Sequence, residues 1–115
     1  MDLQDHITNK VNYDLGVPLT GILGTNPSKG ARSPHLWNAA FSAHGLGVAM
    51  LPLDVPPENL KNLFQFLDRD CNFLGGAVTV PHKEEIAKLL GRRITQEASK
   101  IGAVNCLYRG TDGRI

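Results

Sequence analysis

Apolar positions along the chain fall into short clusters whose spacing switches between strand-like runs and helix-like stripes. Leu19 to Thr25 (LTGILGT) predicts a short buried strand, and Asn26 to Arg32, rich in Pro, Gly and Ser, predicts a loop after it. Ser33-Pro34 predicts a helix start, with Ser33 capping free N–H groups and Pro34 at the first helical position. Leu36, Ala39, Ala40 and Ala43 recur at helical spacing and would form that helix's apolar face, with Gly45 as its stop. Val48 to Val55 (VAMLPLDV) predicts a second strand, and Pro52 within it points to an edge or a bulge. Pro56-Pro57 opens a second helix with Leu60, Leu63, Phe64 and Leu67 on one stripe, the clearest amphipathic signal in the chain. Leu74 to Val80 (LGGAVTV) predicts a third strand. Pro81 opens a helix carrying Ile86, Leu89 and Leu90 that Gly91 ends, and Thr95 caps a short helix with Ala98 and Ile101. Ala103 to Arg109 predicts a fourth strand, and Thr111-Asp112-Gly113 a hairpin turn into a fifth.

Strands alternating with helices of this length predict an α/β fold, a three-layer domain with a mostly parallel mixed sheet flanked by helices. Neither repeats nor a linker interrupts it, so the chain reads as one domain over residues 19–115 preceded by a polar leader, residues 1–18. The chain stops two residues after the predicted hairpin turn, and a cut from a longer protein is the simplest expectation.

Composition narrows the function classes. At 115 residues, 42% of them hydrophobic, the chain is long enough for a core without disulfide or metal staples. Twelve Lys and Arg against eleven Asp and Glu supply no basic field for nucleic acid. Apolar runs of only a few residues predict no membrane span. Asp2, Asp5, His6, Lys10 and Asp14 make the leader unlike a secretory signal, so the expected location is cytoplasmic. Cys71 and Cys106 lack neighbours at ligand spacing and are expected as buried or half-buried thiols. The four histidines form no metal-binding pattern, and no metal is expected.

Three segments have the composition of a site. The loop Thr25 to Ser33 joins a strand end to a helix N-terminus, where free N–H groups and a partial positive charge favour an anion. Lys29 and Arg32 add charge there, and Ser28 and Ser33 add hydroxyls. The loop matches a P-loop poorly, so a small carboxylate is the candidate ligand, and a solvated turn is the alternative. Thr79-Val80-Pro81-His82-Lys83 is a second strand end entering a helix, with Lys83 in the first turn, where the dipole disfavours its charge. A lysine so placed in a cleft can exchange a proton with substrate, although Glu84 and Glu85 could leave it an ordinary surface charge. Asn105, in Gly102-Ala103-Val104-Asn105, offers donors and an acceptor to a polyol, or it merely stabilises a turn.

Taken in order, Ser33-Pro34, Asn38-Ala39-Ala40-Phe41, Gly45-Leu46, Val78-Thr79-Val80-Pro81-His82-Lys83-Glu84 and Ile101-Gly102-Ala103-Val104-Asn105 resemble the substrate-binding domain of the shikimate and quinate dehydrogenases. The resemblance runs from about Leu19 to Ile115. It implies reversible hydride transfer between a nicotinamide and the alcohol–ketone pair of shikimate and 3-dehydroshikimate or a related hydroxy acid. It further implies Lys83 as the catalytic lysine, Asn105 on ring hydroxyls, Thr79 near the substrate carboxylate and Ser33 as the second serine of a Ser-x-Ser carboxylate clamp. NADP or NAD would be held by a C-terminal Rossmann domain absent from these residues, which contain no G-x-G-x-x-G after a strand. The catalytic Asp partner of the family's lysine would lie beyond Ile115, and Asp112 belongs to the turn. The domain alone is therefore expected to be inactive.

Four positions depart from the family's usual residues. Ala31 stands where the first clamp serine is usual, Trp37 for His, Ala77 for Asn and Met50 for an aromatic. All four are expected at or beside the site, with Arg32 offering a salt link in place of the lost hydroxyl. They predict a substrate other than shikimate itself, quinate or another hydroxy acid. Two readings of other classes remain: a stand-alone binding module for a small polyhydroxy carboxylate, and a purely structural domain with no cleft between the loops after Thr25 and Val80.

Overall fold

The computed structural model describes residues 2–13 and 16–115; Asp14 of the leader lies outside the described residues. Its strands are β1 (Leu19–Gly24), β2 (Ala49–Asp54), β3 (Phe73–Val78) and β4 (Cys106–Tyr108). Its helices are α1 (Pro27–Gly30), α2 (Ser33–Ala43), α3 (Leu60–Arg69), α4 (Lys83–Leu90) and α5 (Gln96–Ile101). The sheet order is β2-β1-β3-β4, parallel except for β4, which runs antiparallel to β3. The path from β1 to β2 steps one way and that from β2 to β3 steps back across β1. Right-handed crossovers therefore put α2 and α3 on opposite faces, as a three-layer α/β domain requires.

The amphipathic stripe of α3 forms the centre of the core. Leu60, Leu63, Phe64 and Leu67 are buried against Ile86 and Leu90 of α4 and against Leu23, Leu53 and Phe73 of the sheet. The guanidinium of Arg109 closes the far end of α3. It donates to the carbonyls of Leu67, Asp68 and Asp70 at 2.7–2.9 Å, and to those of Phe73 and Gly113 at 2.9 and 2.6 Å. These include acceptors that a helix C-terminus leaves open, and a cation suits that end of the dipole. Arg109→Ala should therefore destabilise the fold by about 3 kcal/mol in chemical denaturation, the upper part of the usual range for point changes; an unchanged midpoint would contradict this. Nearby, Asp68 receives Arg93 at 3.0 Å, Arg114 at 3.4 Å and the Ile115 N–H at 3.1 Å. Burial pushes its pKa up, but these partners together hold it below the usual 3.8. The link thus stabilises the fold at neutral pH and is lost as pH falls through the lowered value.

Several expectations change. In α2 the expected apolar face points outward: Leu36 is 70% exposed, and Ala39, Ala40 and Ala43 are exposed as well. The inward face is Pro34, Asn38 and Phe41, because α2 lies along β2, an edge strand whose outer N–H and C=O groups need partners. Asn38 supplies them, donating to the Met50 carbonyl at 3.1 Å and accepting its N–H at 2.6 Å. The leader is docked on the domain. Leu3 and Ile7 join the core, and Asn9 closes the same open edge by donating to the Pro52 carbonyl and accepting the Asp54 N–H, both at 2.8 Å. Part of the expected loop after β1 is helical, as α1. The expected fourth strand shortens to three residues, and the turn after it leads to no fifth strand among the described residues; Ile115 folds back and is buried. Cys71 and Cys106 are exposed free thiols, not buried ones, since Cys71 sits in the turn after α3 and Cys106 opens the sheet's edge strand β4.

Candidate functional site

Backbone pairing gathers the candidate residues at the C-terminal ends of the parallel strands. The Val78 N–H donates to the Asn105 carbonyl and the Val104 N–H to the Lys83 carbonyl, both at 2.9 Å. The Thr79 N–H donates to the Leu23 carbonyl at 2.8 Å. Thr79, Lys83 and Asn105, separated by up to 26 positions in sequence, thus share one shelf beside the end of β1. Gly24 brings the first loop onto it: a Cβ there would stand 2.3 Å from Thr79 Cγ2, 3.4 Å from Pro27 Cδ and 3.5 Å from the Val80 carbonyl oxygen. The loops after β1 and β3 therefore touch. Val80 precedes a cis peptide to Pro81.

Arg32 and Ser33 stand where the first loop enters α2. The helix begins one residue earlier than expected: the Arg32 carbonyl takes the Leu36 N–H at 3.2 Å, which makes Arg32 the cap, with Ser33 and Pro34 as the first two helical residues. No side chain caps this helix, so the Ser33 hydroxyl is not spent on capping and first-turn N–H groups lack intrahelical partners. Ser28 is different from its expected role. Its N–H and hydroxyl both donate to the carboxylate of Asp54, so it offers no free hydroxyl.

Lys83 is half-buried at the start of α4, and none of the ion pairs among the described residues involves it; Glu85 pairs with Lys88 at 3.8 Å instead. The preceding His82 is buried at 2% exposure, its Nε2 2.7 Å from the Val55 carbonyl. That bond requires a proton on Nε2 and ties the first turn of α4 to the end of β2, which fixes the backbone carrying Lys83. Sequence reading missed His82 and Asp54 because their partners lie 27 and 26 positions away, with no local pattern to reveal them. Thr79 is half-buried and Asn105 exposed, so the shelf is open on its outer side. It carries the Lys83 ammonium together with the Asn105 amide and the Thr79 hydroxyl, and the loop that meets it at Gly24 continues through the exposed Lys29 and Arg32.

The sequence pattern of the family described as the shikimate dehydrogenase substrate binding domain matches residues 23–107. The chain belongs to this family. A shikimate dehydrogenase (NADP(+)) of Rubrobacter xylanophilus is 42% identical over 98 residues, covering 84% of this chain and 33% of that protein. The crystal structure of shikimate 5-dehydrogenase from Listeria monocytogenes, in complex with shikimate and NAD, has a TM-score of 0.75 at 31% identity, covering 94% of this chain and 35% of its own. The ligand-free 5-ketofructose reductase of a Gluconobacter strain has a TM-score of 0.71 at 25% identity, covering 88% and 35%. The chain spans about a third of the length of these relatives.

Within this member of the substrate-binding-domain family the four departures do not lie together. Ala31 is half-buried in the first loop. Ala77 is in β3 opposite Cys106 of β4, and alternation puts it on the same face as Thr79. Trp37 lies one turn beyond Ser33, 52% exposed, its ring 5.8 Å from that of Phe41. Met50 is not at the site. It is 5% exposed and four residues before the end of β2, about 13 Å along the strand, because β2 reaches the shelf only at Asp54.

Proposed function

We propose that this chain is the substrate-binding domain of a nicotinamide-dependent oxidoreductase acting on a small cyclic hydroxy-carboxylate of the shikimate type. The observation that carries the reading is the pairing of Val78 with Asn105 and of Val104 with Lys83, which gathers Thr79, Lys83 and Asn105 at the ends of β3 and β4. In this reading the carboxylate meets Arg32 and the first turn of α2, with Ser33 and Thr79 donating hydroxyls. Asn105 takes ring hydroxyls by donating its amide N–H and accepting on its carbonyl. Lys83 accepts the proton of the reacting hydroxyl on oxidation and returns it on reduction. A nicotinamide held outside these residues would supply the hydride acceptor for the alcohol carbon.

This chain's own residues do not fit a dinucleotide. The turn after β1 holds Pro27, and the space beside Gly24 that a pyrophosphate would need is filled by Thr79 and Pro27. NADP or NAD is accordingly assigned to a further domain of a longer protein. The chain alone should show no thermal stabilisation by either cofactor at 1 mM, a concentration of the order of typical weak affinities; half-saturation below that would contradict the assignment.

The substrate is proposed to differ from shikimate itself. Ala31 and Ala77 remove polar groups from the shelf, and a site lacking a hydrogen-bond partner leaves a ligand's polar atom desolvated and unpaired. The 5-ketofructose reductase shows a relative of this fold named for another substrate. The test is kcat/KM of the longer protein across shikimate, quinate and related hydroxy acids, alongside Ala31→Ser combined with Ala77→Asn. The reading expects another acid to lead and the double variant to move preference toward shikimate. Shikimate ahead by about tenfold in the unsubstituted protein would contradict it, a difference near 1.4 kcal/mol.

A further inference from the structure

We infer that Asp54 is a positioning residue for the carboxylate end of this site, acting through Ser28; the inference rests on the substrate reading above. Asp54 ends β2 and is 4% exposed, yet none of the ion pairs among the described residues contains it. A buried carboxylate needs hydrogen-bond donors, and Asp54 takes both from one residue of the first loop. Oδ1 accepts the Ser28 N–H at 2.9 Å and Oδ2 accepts the Ser28 hydroxyl. Ser28 belongs to α1, the four-residue helix from which the chain runs on through Ala31 to Arg32 and Ser33. An exposed turn that short has little stability of its own. Its position is therefore set by the bonds to Asp54 and by the packing of Pro27 beside Gly24.

Asp54 is itself held from the other side. Asn9 accepts the Asp54 N–H at 2.8 Å, and the Thr8 N–H donates to the Asp54 carbonyl at 2.8 Å. Both come from the segment ahead of residue 23, where the family match starts. A relay thus runs from the docked leader through the end of β2 to the loop that presents Arg32 and Ser33. Ordering this loop before the ligand arrives removes an entropic cost from binding.

Charge and position make opposite predictions here, which makes the role testable. By Coulomb attraction alone, removing a negative charge near an anion site should tighten carboxylate binding. If Asp54 positions the loop, Asp54→Ala should instead weaken it, about tenfold in Kd. Asp54→Asn keeps an acceptor for the Ser28 N–H and a donor toward its hydroxyl, so it should restore at least the original affinity. Calorimetric titration of the chain with shikimate and with its methyl ester reads this out, with Ser28→Ala as the variant that leaves the core untouched. The expected result is weaker shikimate binding in Asp54→Ala and, less strongly, in Ser28→Ala, recovery in Asp54→Asn, and ester binding shifted by less than twofold throughout. Unchanged or tighter shikimate binding in both alanine variants would overturn the positioning role alone, as would equal losses for acid and ester. If the unsubstituted chain binds another acid of the panel and not shikimate, the same variants are read with that acid and its methyl ester; binding of no acid of the panel would overturn the substrate reading and this inference with it.

Discussion

Replacing Gly76 with alanine is expected to abolish the folded state. Gly76 lies in β3 between β1 and β4, with φ at +151°, and a Cβ there would stand 1.9 Å from the Gly21 carbonyl oxygen and 2.9 Å from Gly21 C and N. These are backbone atoms of the neighbouring strand, so no rotamer change can make room. To accept the methyl group, β1 and β3 must part at the Gly21–Gly76 pair, and that pair lies within the strand segments whose ends carry Leu23 and Thr79. The cost should exceed about 4 kcal/mol, beyond the usual range for point changes and comparable to much of a small domain's total stability of ~5–15 kcal/mol. Chemical denaturation followed by circular dichroism checks it. A cooperative transition near the original midpoint would contradict the strand pairing described here.

The second large effect concerns chemistry rather than folding. Lys83→Ala in the longer protein should lower kcat by roughly 10²–10⁴, the usual scale for a general acid–base group. Its stability should stay within about 0.5 kcal/mol, because Lys83 takes part in none of the ion pairs among the described residues. The backbone carbonyl that receives the Val104 N–H remains in the variant, so the shelf keeps its shape. Near-normal turnover would remove Lys83 from its proposed role. A loss of activity matched by loss of fold would point to packing instead.

The sequence announces some of these features and is silent on others for identifiable reasons. Alternating strands and helices were readable because Pro34, Pro57 and Pro81 mark helix starts and Gly45, Gly91 and Gly102 mark their ends. The α3 stripe was readable because its burial follows local period alone. The face of α2 was not: Leu36, Ala39, Ala40 and Ala43 have a helical period, but period says nothing about which side meets the sheet. Asn38 decides that by satisfying the open edge at Met50, a demand visible only once β2 is known to be an edge. For the same reason the docking of the leader through Asn9 had no local sign. Lys83, Thr79 and Asn105 were legible as motif residues, and the structure adds the backbone bonds that place them on one shelf. Asp54 lies inside the predicted strand Val48 to Val55 and has no local sign of its role, because its partners Ser28 and Asn9 come from two distant segments.

The strand-end shelf is proposed to bind a small hydroxy-carboxylate. Titrating the isotopically labelled chain with shikimate or quinate, followed by amide resonances, tests it most directly. Saturable shifts should concentrate at Arg32, Ser33, Thr79, Lys83 and Asn105, while the Leu63, Phe64 and Leu67 amides inside α3 stay unmoved. Saturable shifts confined instead to the leader and the outer surface of α3, or none with any acid of the panel at millimolar concentration, would contradict the account.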